Sequence, residues 1–305
     1  MHVLVSGASG FIGSALVPAL TADGHMVTRL VRSTPRPGRA EIPWNPAAHS
    51  IGTPALEGLD AVVHLAGDNI ASGRWTAAKK VSIRSSRVQG TTVLCEALAQ
   101  LVKPPKVLLS ASAIGYYGDR GETTLREASP PGTGFLAEVC QAWEAATAPA
   151  VPRGIRVVHL RFGIVLSPAG GVLAKLLTPF RLGLGGVVGT GKQYMSWIAL
   201  DDVLGVIQHA LSTETIQGPV NVVAPQPVTN QEFTTTLGKV LRRPTRLPLP
   251  AFAAHLLFGE MADALLLAST RVMPARLVAS EYTFRHPALE AALQRLLGTP
   301  HAASD

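Results

Sequence analysis

The chain has 305 residues, 47% of them hydrophobic, which suffices for one large α/β domain with a smaller lobe. Its formal net charge of +7 comes from dispersed basic residues, and only 5% of the residues are aromatic, few for a surface that stacks bases. We therefore expect no nucleic-acid partner.

The first element is the most informative one. A β-branched apolar run at residues 3–5 leads into three glycines, Gly7, Gly10 and Gly13, and a helical pattern follows over residues 14–22. A second strand is predicted at residues 26–31. Dinucleotides bind at such a strand–turn–helix unit, because the missing side chains let the backbone approach the pyrophosphate and the helix N-terminus faces the phosphates. A glycine turn that only packs helix on strand is the alternative.

Strand and helix patterns then alternate, which predicts a Rossmann-type, doubly wound parallel sheet. The predicted strands cover residues 59–67, 106–110, 155–161 and 219–223, and the predicted helices cover residues 81–100, 135–148, 172–180 and 233–241. We assign residues 1–165 and 191–226 to the dinucleotide-binding domain and residues 166–190 and 227–298 to a smaller, substrate-covering lobe. Residues 299–305 are predicted to be a disordered tail.

In the second lobe, one helical face after Pro250 is expected to pack on the carboxyl edge of the sheet. This face carries Phe252, Leu256, Met261, Leu265 and Leu266. Prolines and charged residues interrupt the stretch 247–268, which argues against a membrane span. With a strand beginning directly after Met1, no signal peptide is expected either. We therefore expect a cytoplasmic protein without a membrane partner.

Cys95 and Cys140 lie in separate predicted helices and lack the spacing of a metal or redox motif. Both are interpreted as small core residues of a reducing compartment, with a disulfide as the alternative. No metal site is predicted.

Several further motifs carry a family resemblance. They are Leu65-Ala-Gly-Asp-Asn-Ile70, Ser110-Ala-Ser-Ala-Ile-Gly-Tyr-Tyr-Gly118, Trp143-Glu144, Arg161-Phe-Gly-Ile-Val-Leu166, Gly189-Thr-Gly-Lys-Gln193 and Asn221-Val-Val-Ala-Pro225. With the glycine turn, they resemble the atypical short-chain dehydrogenase/reductases, in particular the "epimerase family protein" branch related to nucleotide-sugar epimerases. The resemblance covers nearly the whole chain and implies a nicotinamide dinucleotide, usually NADP(H).

The nature of the dinucleotide can be inferred from the end of the second strand. About 20 residues after the glycines an NAD-binding protein carries an acid for the ribose 2′-hydroxyl. Val31 and Arg32 stand there instead, and an arginine would hold a 2′-phosphate, which predicts NADP(H). A solvated charge at a strand end is the alternative reading of Arg32.

The remaining cofactor contacts follow from the resemblance. The glycine turn contributes Ser9, Phe11 and Ile12, and the loop after the third strand contributes Leu65, Ala66 and Gly67. The further expected contacts are Ser82, Arg87, Ser110, Arg161 and Val165. His64 is interpreted as a hydrogen-bonded histidine of a buried strand, with a catalytic role as the alternative.

Catalysis is the open point of the sequence. The family's Tyr-x-x-x-Lys pair is missing from residues 135–144, although Ser112 stands where the family serine is expected to hold the reacting oxygen. The substitute proton donor is predicted to be Tyr116 first and Tyr117 second. Met195 replaces the arginine with which nucleotide-sugar epimerases clamp a diphosphate.

The chain is thus expected to be an NADP(H)-dependent oxidoreductase or epimerase that acts on an unknown small carbonyl or hydroxyl compound. The alternative is an NADPH-binding sensor without turnover. A monomer or homodimer is expected.

Overall fold

The computed structural model describes residues 1–298, so that the predicted disordered tail at 299–305 lies outside the described residues. The strands are β1 (His2–Ser6), β2 (Met26–Val31), β3 (Glu41–Asn45), β4 (Ser50–Ile51), β5 (Ala61–His64), β6 (Val107–Ala113), β7 (Thr124–Leu125), β8 (Arg156–Phe162), β9 (Ile164–Ser167), β10 (Tyr194–Met195), β11 (Trp197–Ala199), β12 (Gly218–Val222), β13 (Val228–Thr229) and β14 (Arg271–Val272). The helices are α1 (Phe11–Ala22), α2 (Ala77–Ala99), α3 (Phe135–Ala145), α4 (Gly171–Arg181), α5 (Leu200–Ser212), α6 (Asn230–Leu241), α7 (Ala251–Phe258), α8 (Glu260–Ala262), α9 (Ala275–Ala279) and α10 (Leu289–Leu297).

Eight of these strands form one sheet in the order β12-β8-β6-β5-β1-β2-β3-β4. All neighbours are parallel except β3 and β4, which pair antiparallel. The chain runs from β1 to β2 on one side and returns to β5 on the other, so the strand order reverses at β1. Ligands bind outside the carboxyl ends of the strands at such a reversal point. The predicted Rossmann-type fold is confirmed.

The sheet strands are continuous apolar runs because helices cover both faces. On one face, Leu4, Val62 and Leu108 are buried together with Leu94 and Leu98 of α2. On the other face, the alternate strand residues pack against α1 and α5; they are Val5, Val63 and Leu109, with Leu16, Leu20, Val203, Val206 and Ile207 from the helices. Each fully buried aliphatic side chain contributes about 1.5–3 kcal/mol to folding, so these alternating residues hold the carboxyl ends of the strands in place.

A separate apolar core lies between α4, α6 and α10. It is built around Trp197 and Phe233, with Leu173, Leu177, Phe180, Leu237, Ala292 and Leu293. Leu277, Tyr282 and Phe284, although later in the chain, pack on the core of the large sheet. The proposed second lobe therefore contributes side chains to both cores, and its boundaries remain a prediction.

The expected packing of the helical face after Pro250 is wrong. Helix α7 ends at Gly259, whose φ is +61°, so residues 251–267 do not form one helix. Phe252 is 75% exposed and Leu256 is 74% exposed, whereas Met261, Leu265 and Leu266 are partly buried. Within residues 1–298, no helix combines the length and apolarity that a membrane crossing requires.

Both cysteines are free and buried, as predicted, Cys95 in α2 and Cys140 in α3. Burial raises the pKa of each thiol to about 12, so neither is a thiolate at neutral pH. Among residues 1–298, the His, Cys, Asp and Glu side chains form no cluster that could hold a metal ion.

Candidate functional site

The glycine turn after β1 is shaped by close backbone contacts. Gly7 has a φ of +66°, and a Cβ atom on it would lie 2.8 Å from the carbonyl carbon of Leu65. A Cβ on Gly13 would lie 2.2 Å from the Gly7 carbonyl oxygen, which accepts a hydrogen bond of 2.9 Å from the Gly10 N–H. No real Cβ fits at these distances, so this turn requires glycine at Gly7 and Gly13.

Helix α1 starts from this turn with its amide groups free of side-chain caps. Gly10 is the N-cap and provides no side-chain hydrogen bond, and the first turn holds no acidic residue. A cleft over the helix start is lined by residues of the turn, Ser9, Gly10 and Phe11, and by Ala169 and Gly170 of the loop before α4. Uncapped N–H groups at a helix start, with no competing carboxylate, make a favourable position for a phosphate.

The end of β2 presents one unpaired cation. Val31 is half-buried, and the exposed Arg32 side chain has no hydrogen bond or ion pair with any of residues 1–298. The nearby acid, Glu41, is paired with Arg36 at 2.6 Å. Arg32 therefore keeps its guanidinium free, at the position where a ribose-binding acid would otherwise stand.

The loop after β5 is tied to the end of β1 by one serine. Ser6 Oγ accepts hydrogen bonds from the backbone N–H of Leu65 (3.1 Å) and of Ala66 (3.2 Å). It also lies 2.7 Å from His64 Nδ1, and His64 Nε2 lies 3.1 Å from Thr91 Oγ1. Burial lowers the pKa of His64 to about 4. The interpretation of His64 as a neutral, hydrogen-bonded strand histidine is confirmed.

Arg87 on α2 lies beside this loop. Its Cζ atom is 3.3 Å from where a Cβ on Gly67 would stand, and the guanidinium lies 5.0 Å from the centre of the Trp143 ring. Burial lowers the pKa of Arg87, and Nη1 donates to the Ile83 carbonyl oxygen at 3.1 Å. Four of its five N–H groups have no acceptor within residues 1–298 and can serve a ligand.

Ser82 has a different environment. Its hydroxyl donates to Asp68 Oδ2 at 2.8 Å, and the same carboxylate oxygen is 2.7 Å from Lys79 Nζ. The pKa of Asp68 is lowered, mainly by the hydrogen bond from Lys79. Ser82 thus belongs to a partly exposed polar cluster within the chain.

The centre of the candidate active site is a buried ion pair. Ser112 near the carboxyl end of β6 donates to Glu144 Oε1 at 2.7 Å. Arg161 of β8 contacts both carboxylate oxygens of Glu144, with Nε to Oε1 at 2.7 Å and Nη2 to Oε2 at 2.8 Å. The side chains of Arg161 and Glu144 are only 3% and 11% exposed. Burial alone would lower the pKa of Arg161, but the hydrogen bonds and charge of Glu144 raise it.

The two candidate tyrosines differ sharply. Tyr117 is fully buried, receives a hydrogen bond from Arg161 Nη1 (2.9 Å) and donates to Asn221 Oδ1 (2.7 Å). Burial raises its pKa, which makes Tyr117 a poor proton donor. The half-buried Tyr116 stacks on Arg161, 3.5 Å from Cζ to the ring centre, and its hydroxyl bonds to none of the residues 1–298.

Three predicted site residues point into the protein. Arg161 directs its donors to the buried network and is 3% exposed, so it has little capacity left for a cofactor. Ser110 is fully buried, and its Oγ has no partner within residues 1–298. Val165 of β9 packs half-buried against the core of the large sheet. The Ser112 hydroxyl donates its one hydrogen bond to Glu144, so in this arrangement it can only accept a hydrogen bond from a substrate.

Sequence reasoning did not assign a role to Glu144. Glu144 lies four residues after the buried Cys140, so both side chains are on the same face of α3, and that helical spacing was the available signal. Arg271 also received no role. Its Nε atom is buried without a partner in the described chain, and its guanidinium lies 4.8 Å from the Tyr194 ring centre.

Comparisons with known proteins found relatives that cover nearly the whole chain. Residues 3–223 match the model of the NAD dependent epimerase/dehydratase family, and residues 249–296 match a domain of unknown function. An "epimerase family protein" of Mycobacterium bovis is 46% identical over 95% of this chain and 96% of its own length. The human epimerase family protein SDR39U1 is 39% identical over 97% of this chain. A crystal structure of that human protein with NADPH superposes with a TM-score of 0.89 at 36% identity, over 98% of this chain and 100% of the other.

Proposed function

Because the chain belongs to the NAD-dependent epimerase/dehydratase family, we propose that it is an NADP(H)-dependent oxidoreductase or epimerase acting on a small carbonyl or hydroxyl compound. Bound NADP(H) supplies the hydride chemistry. The chain itself provides the glycine turn for the pyrophosphate, the uncapped start of α1 for a phosphate charge, and Arg87 beside the loop after β5. We also propose a cytoplasmic monomer or homodimer that binds no nucleic acid.

The observation that carries this proposal is the free guanidinium of Arg32. It stands at the end of β2 with its neighbouring acid already engaged by Arg36. A hydrogen bond from this exposed guanidinium to a charged 2′-phosphate contributes about 1.5–3 kcal/mol, which is roughly a ten- to hundredfold preference for NADPH over NADH. The human relative's crystal structure with NADPH supports the same cofactor.

Proton transfer is assigned to Tyr116. Its hydroxyl is free, its ring is held against Arg161, and it follows the strand that carries Ser112. Ser112 accepts a hydrogen bond from a substrate hydroxyl while its own O–H donates to Glu144. A carbonyl oxygen would take its hydrogen bond from Tyr116, because the Ser112 hydroxyl already donates to Glu144.

The second candidate function is a sensor that binds NADPH without turnover. The bond between Ser112 and Glu144 favours it, because a serine tied into a buried ion pair has a structural use that needs no substrate. Both functions share the cofactor and differ in turnover.

The cofactor assignment is tested by titrating NADPH and NADH into the purified protein and following nicotinamide fluorescence. We expect NADPH to bind roughly ten- to hundredfold more tightly, and Arg32→Ala to remove that preference while leaving NADH binding unchanged. Arg39→Ala, another arginine in the same exposed stretch, is the matched control and keeps the preference. Equal affinities in the wild type would refute the assignment.

Turnover is tested by screening hydroxyl compounds with NADP⁺ and carbonyl compounds with NADPH. Where a substrate is found, Tyr116→Phe should abolish most activity and Ser112→Ala should lower it, both with NADPH affinity unchanged. Turnover that survives Tyr116→Phe unchanged excludes Tyr116 as the proton donor. Tight NADPH binding with no turnover across the screen supports the sensor.

A further inference from the structure

An exposed apolar surface lies on the segment that follows α4 and on the segment that leads into and forms α7. Half of the large hydrophobic residues that are exposed within residues 1–298 belong to two segments, 182–184 and 247–257. They are Leu182 (69% exposed), Leu184 (56%), Leu247 (54%), Phe252 (75%), Leu256 (74%) and Leu257 (57%). Single exposed leucines need no explanation, but such a concentration marks an interaction surface.

The two segments run side by side. Leu249 N–H donates to the Val187 carbonyl oxygen at 2.8 Å, and Gly189 N–H donates to the Leu249 carbonyl oxygen at 2.9 Å. A further hydrogen bond joins the residues just before these segments, where Arg243 Nε donates to the Arg181 carbonyl oxygen at 2.8 Å. Helix α7 follows directly. Arg74 fixes it in place by donating hydrogen bonds to carbonyl oxygens in the last turn of α7. The apolar side chains thus stand on one braced structure.

The same part of the chain carries its excess charge. Basic residues are spread along the sequence, but residues 171–200 and 233–259 contain seven Lys and Arg and no Asp or Glu, which equals the formal net charge of the whole chain. Four exposed arginines adjoin the leucines: Arg181, Arg242, Arg243 and Arg246. The next acids along the chain, Glu260 and Asp263, are paired with Lys80 and His255. We call the six apolar residues and these four arginines the basic apolar face.

We propose that the basic apolar face binds the surface of an anionic lipid membrane, with Phe252 and Leu256 entering the headgroup region and the arginines contacting lipid phosphates. Apolar side chains together with exposed arginines match a membrane surface, whose interior is apolar and whose headgroups are negatively charged. The contact is peripheral, because α7 has only eight residues. The expectation of no membrane partner used the prolines and charged residues that interrupt 247–268, which exclude a span and not a peripheral contact, and the packing of this face on the sheet, from which Phe252 and Leu256 are exposed.

Charge and apolar character together favour an anionic membrane over two other occupants of this face, a second copy of the chain and a nucleic acid. A second copy seated on the same face about a two-fold axis would bring the four arginines of each copy against those of the other. A nucleic acid would satisfy the arginines but leave the six apolar side chains in water. An anionic lipid membrane provides phosphates for the four arginines and an apolar environment for the six apolar side chains.

The experiment is vesicle co-sedimentation of the purified full chain. Vesicles of phosphatidylcholine alone are compared with vesicles that also contain phosphatidylglycerol, over a series of salt concentrations. We expect binding to the anionic vesicles only, weakening as salt screens the arginines. Arg242→Gln with Arg243→Gln should weaken binding about fivefold per charge. Phe252→Ser with Leu256→Ser should weaken it by about tenfold or more.

Matched controls lie elsewhere on the surface. Val102→Ser replaces an apolar residue that is 84% exposed, and Arg84→Gln replaces an exposed arginine of α2. Both should bind vesicles like the wild type, and every variant should keep its melting temperature and NADPH affinity. These readouts separate a folding defect from a lost contact, and the vesicle result does not depend on the proposed catalytic function.

Three outcomes overturn the proposal. One is that the wild type sediments with neither kind of vesicle. Another is that Phe252→Ser with Leu256→Ser binds no more weakly than Val102→Ser. A third is a dimer in light scattering that Phe252→Ser with Leu256→Ser converts to a monomer, which would assign the basic apolar face to a second copy.

Discussion

Removing one partner of the buried ion pair offers a direct measure of how strongly the site is held together. Glu144→Ala would leave Arg161, whose side chain is 3% exposed, without its carboxylate and would also orphan the Ser112 hydroxyl. Breaking a buried pair in this way costs about 3–5 kcal/mol of folding free energy. That is a large part of the roughly 5–15 kcal/mol by which a typical domain is stable.

Ser112→Ala provides the comparison within the network. It removes one hydrogen bond to a charged group, about 1.5–3 kcal/mol, and leaves Glu144 fully paired with Arg161. The carboxylate keeps two hydrogen bonds of 2.7 and 2.8 Å in that variant. The ion pair itself should therefore account for most of the loss in Glu144→Ala, and Ser112→Ala should fall at the lower end of its range.

The assay is urea denaturation followed by circular dichroism, with NADPH absent. Glu290→Ala is the matched control, because its partner Lys239 and Glu290 itself are 69% and 43% exposed; such a surface pair contributes at most about 1 kcal/mol. A loss in Glu144→Ala no larger than that in Glu290→Ala would refute the reasoning. So would a loss in Ser112→Ala that matches the loss in Glu144→Ala.

Three further predictions concern the turn and the strands around it. Gly13→Ala should abolish NADPH binding and lower the melting temperature, because its Cβ would overlap the Gly7 carbonyl oxygen, whereas Gly52→Ala, where a Cβ meets only Ile42 at 3.8 Å, should do neither. His64 titrates near pH 4 when folded and near 6.5 when unfolded, so its stability contribution is complete above pH 6.5 and is lost as the pH falls towards 4; by linkage the loss reaches about 3 kcal/mol, and His64→Asn should flatten this part of the pH–stability curve. Tyr117→Phe should destabilise the fold by about 1–3 kcal/mol in urea, because it strands Asn221 and Arg161, while an unchanged midpoint would contradict that role.

Local pattern was enough to predict the backbone geometry of the glycine turn. The strand–glycine–helix unit spans few residues, and both the contact of Gly13 with the Gly7 carbonyl oxygen and the absence of a side-chain cap on α1 arise within it. The close contact of Gly7 with Leu65 comes from the loop after β5, which only the structure brings there. Local pattern was also enough for His64, whose place within an apolar run already indicated a buried, hydrogen-bonded ring.

The contacts among Ser112, Glu144 and Arg161 could not be predicted from local pattern. Ser112, Glu144 and Arg161 come from β6, α3 and β8, and only the pairing of the strands and the packing of the helix bring them together. Ser112 and Arg161 are cross-strand partners in that register. The family resemblance placed Ser112 at a strand end, and only the structure shows that its hydroxyl donates to Glu144.

In the region around α7, the local pattern predicted burial of a helical face that the structure leaves exposed. Phe252 and Leu256 follow a helical spacing that indicates a buried face, yet hydrophobic spacing specifies only that a face is apolar, and what covers that face is decided by the rest of the fold. Here Gly259 ends the helix early and the face remains open.

The amino-acid sequence by itself therefore determined the alternating α/β fold, the glycine turn and the choice of Arg32 over an acid, because each depends on short-range backbone geometry or on residue type at one position. The tertiary structure decided that the Ser112 hydroxyl donates to Glu144 and that Tyr117 is buried while the Tyr116 hydroxyl has no partner among residues 1–298. It also decided that Leu182, Leu184, Leu247, Leu256 and Leu257 are exposed. These are contacts between residues far apart in the chain, and their free energies depend on burial and distance, which exist only once the elements have packed.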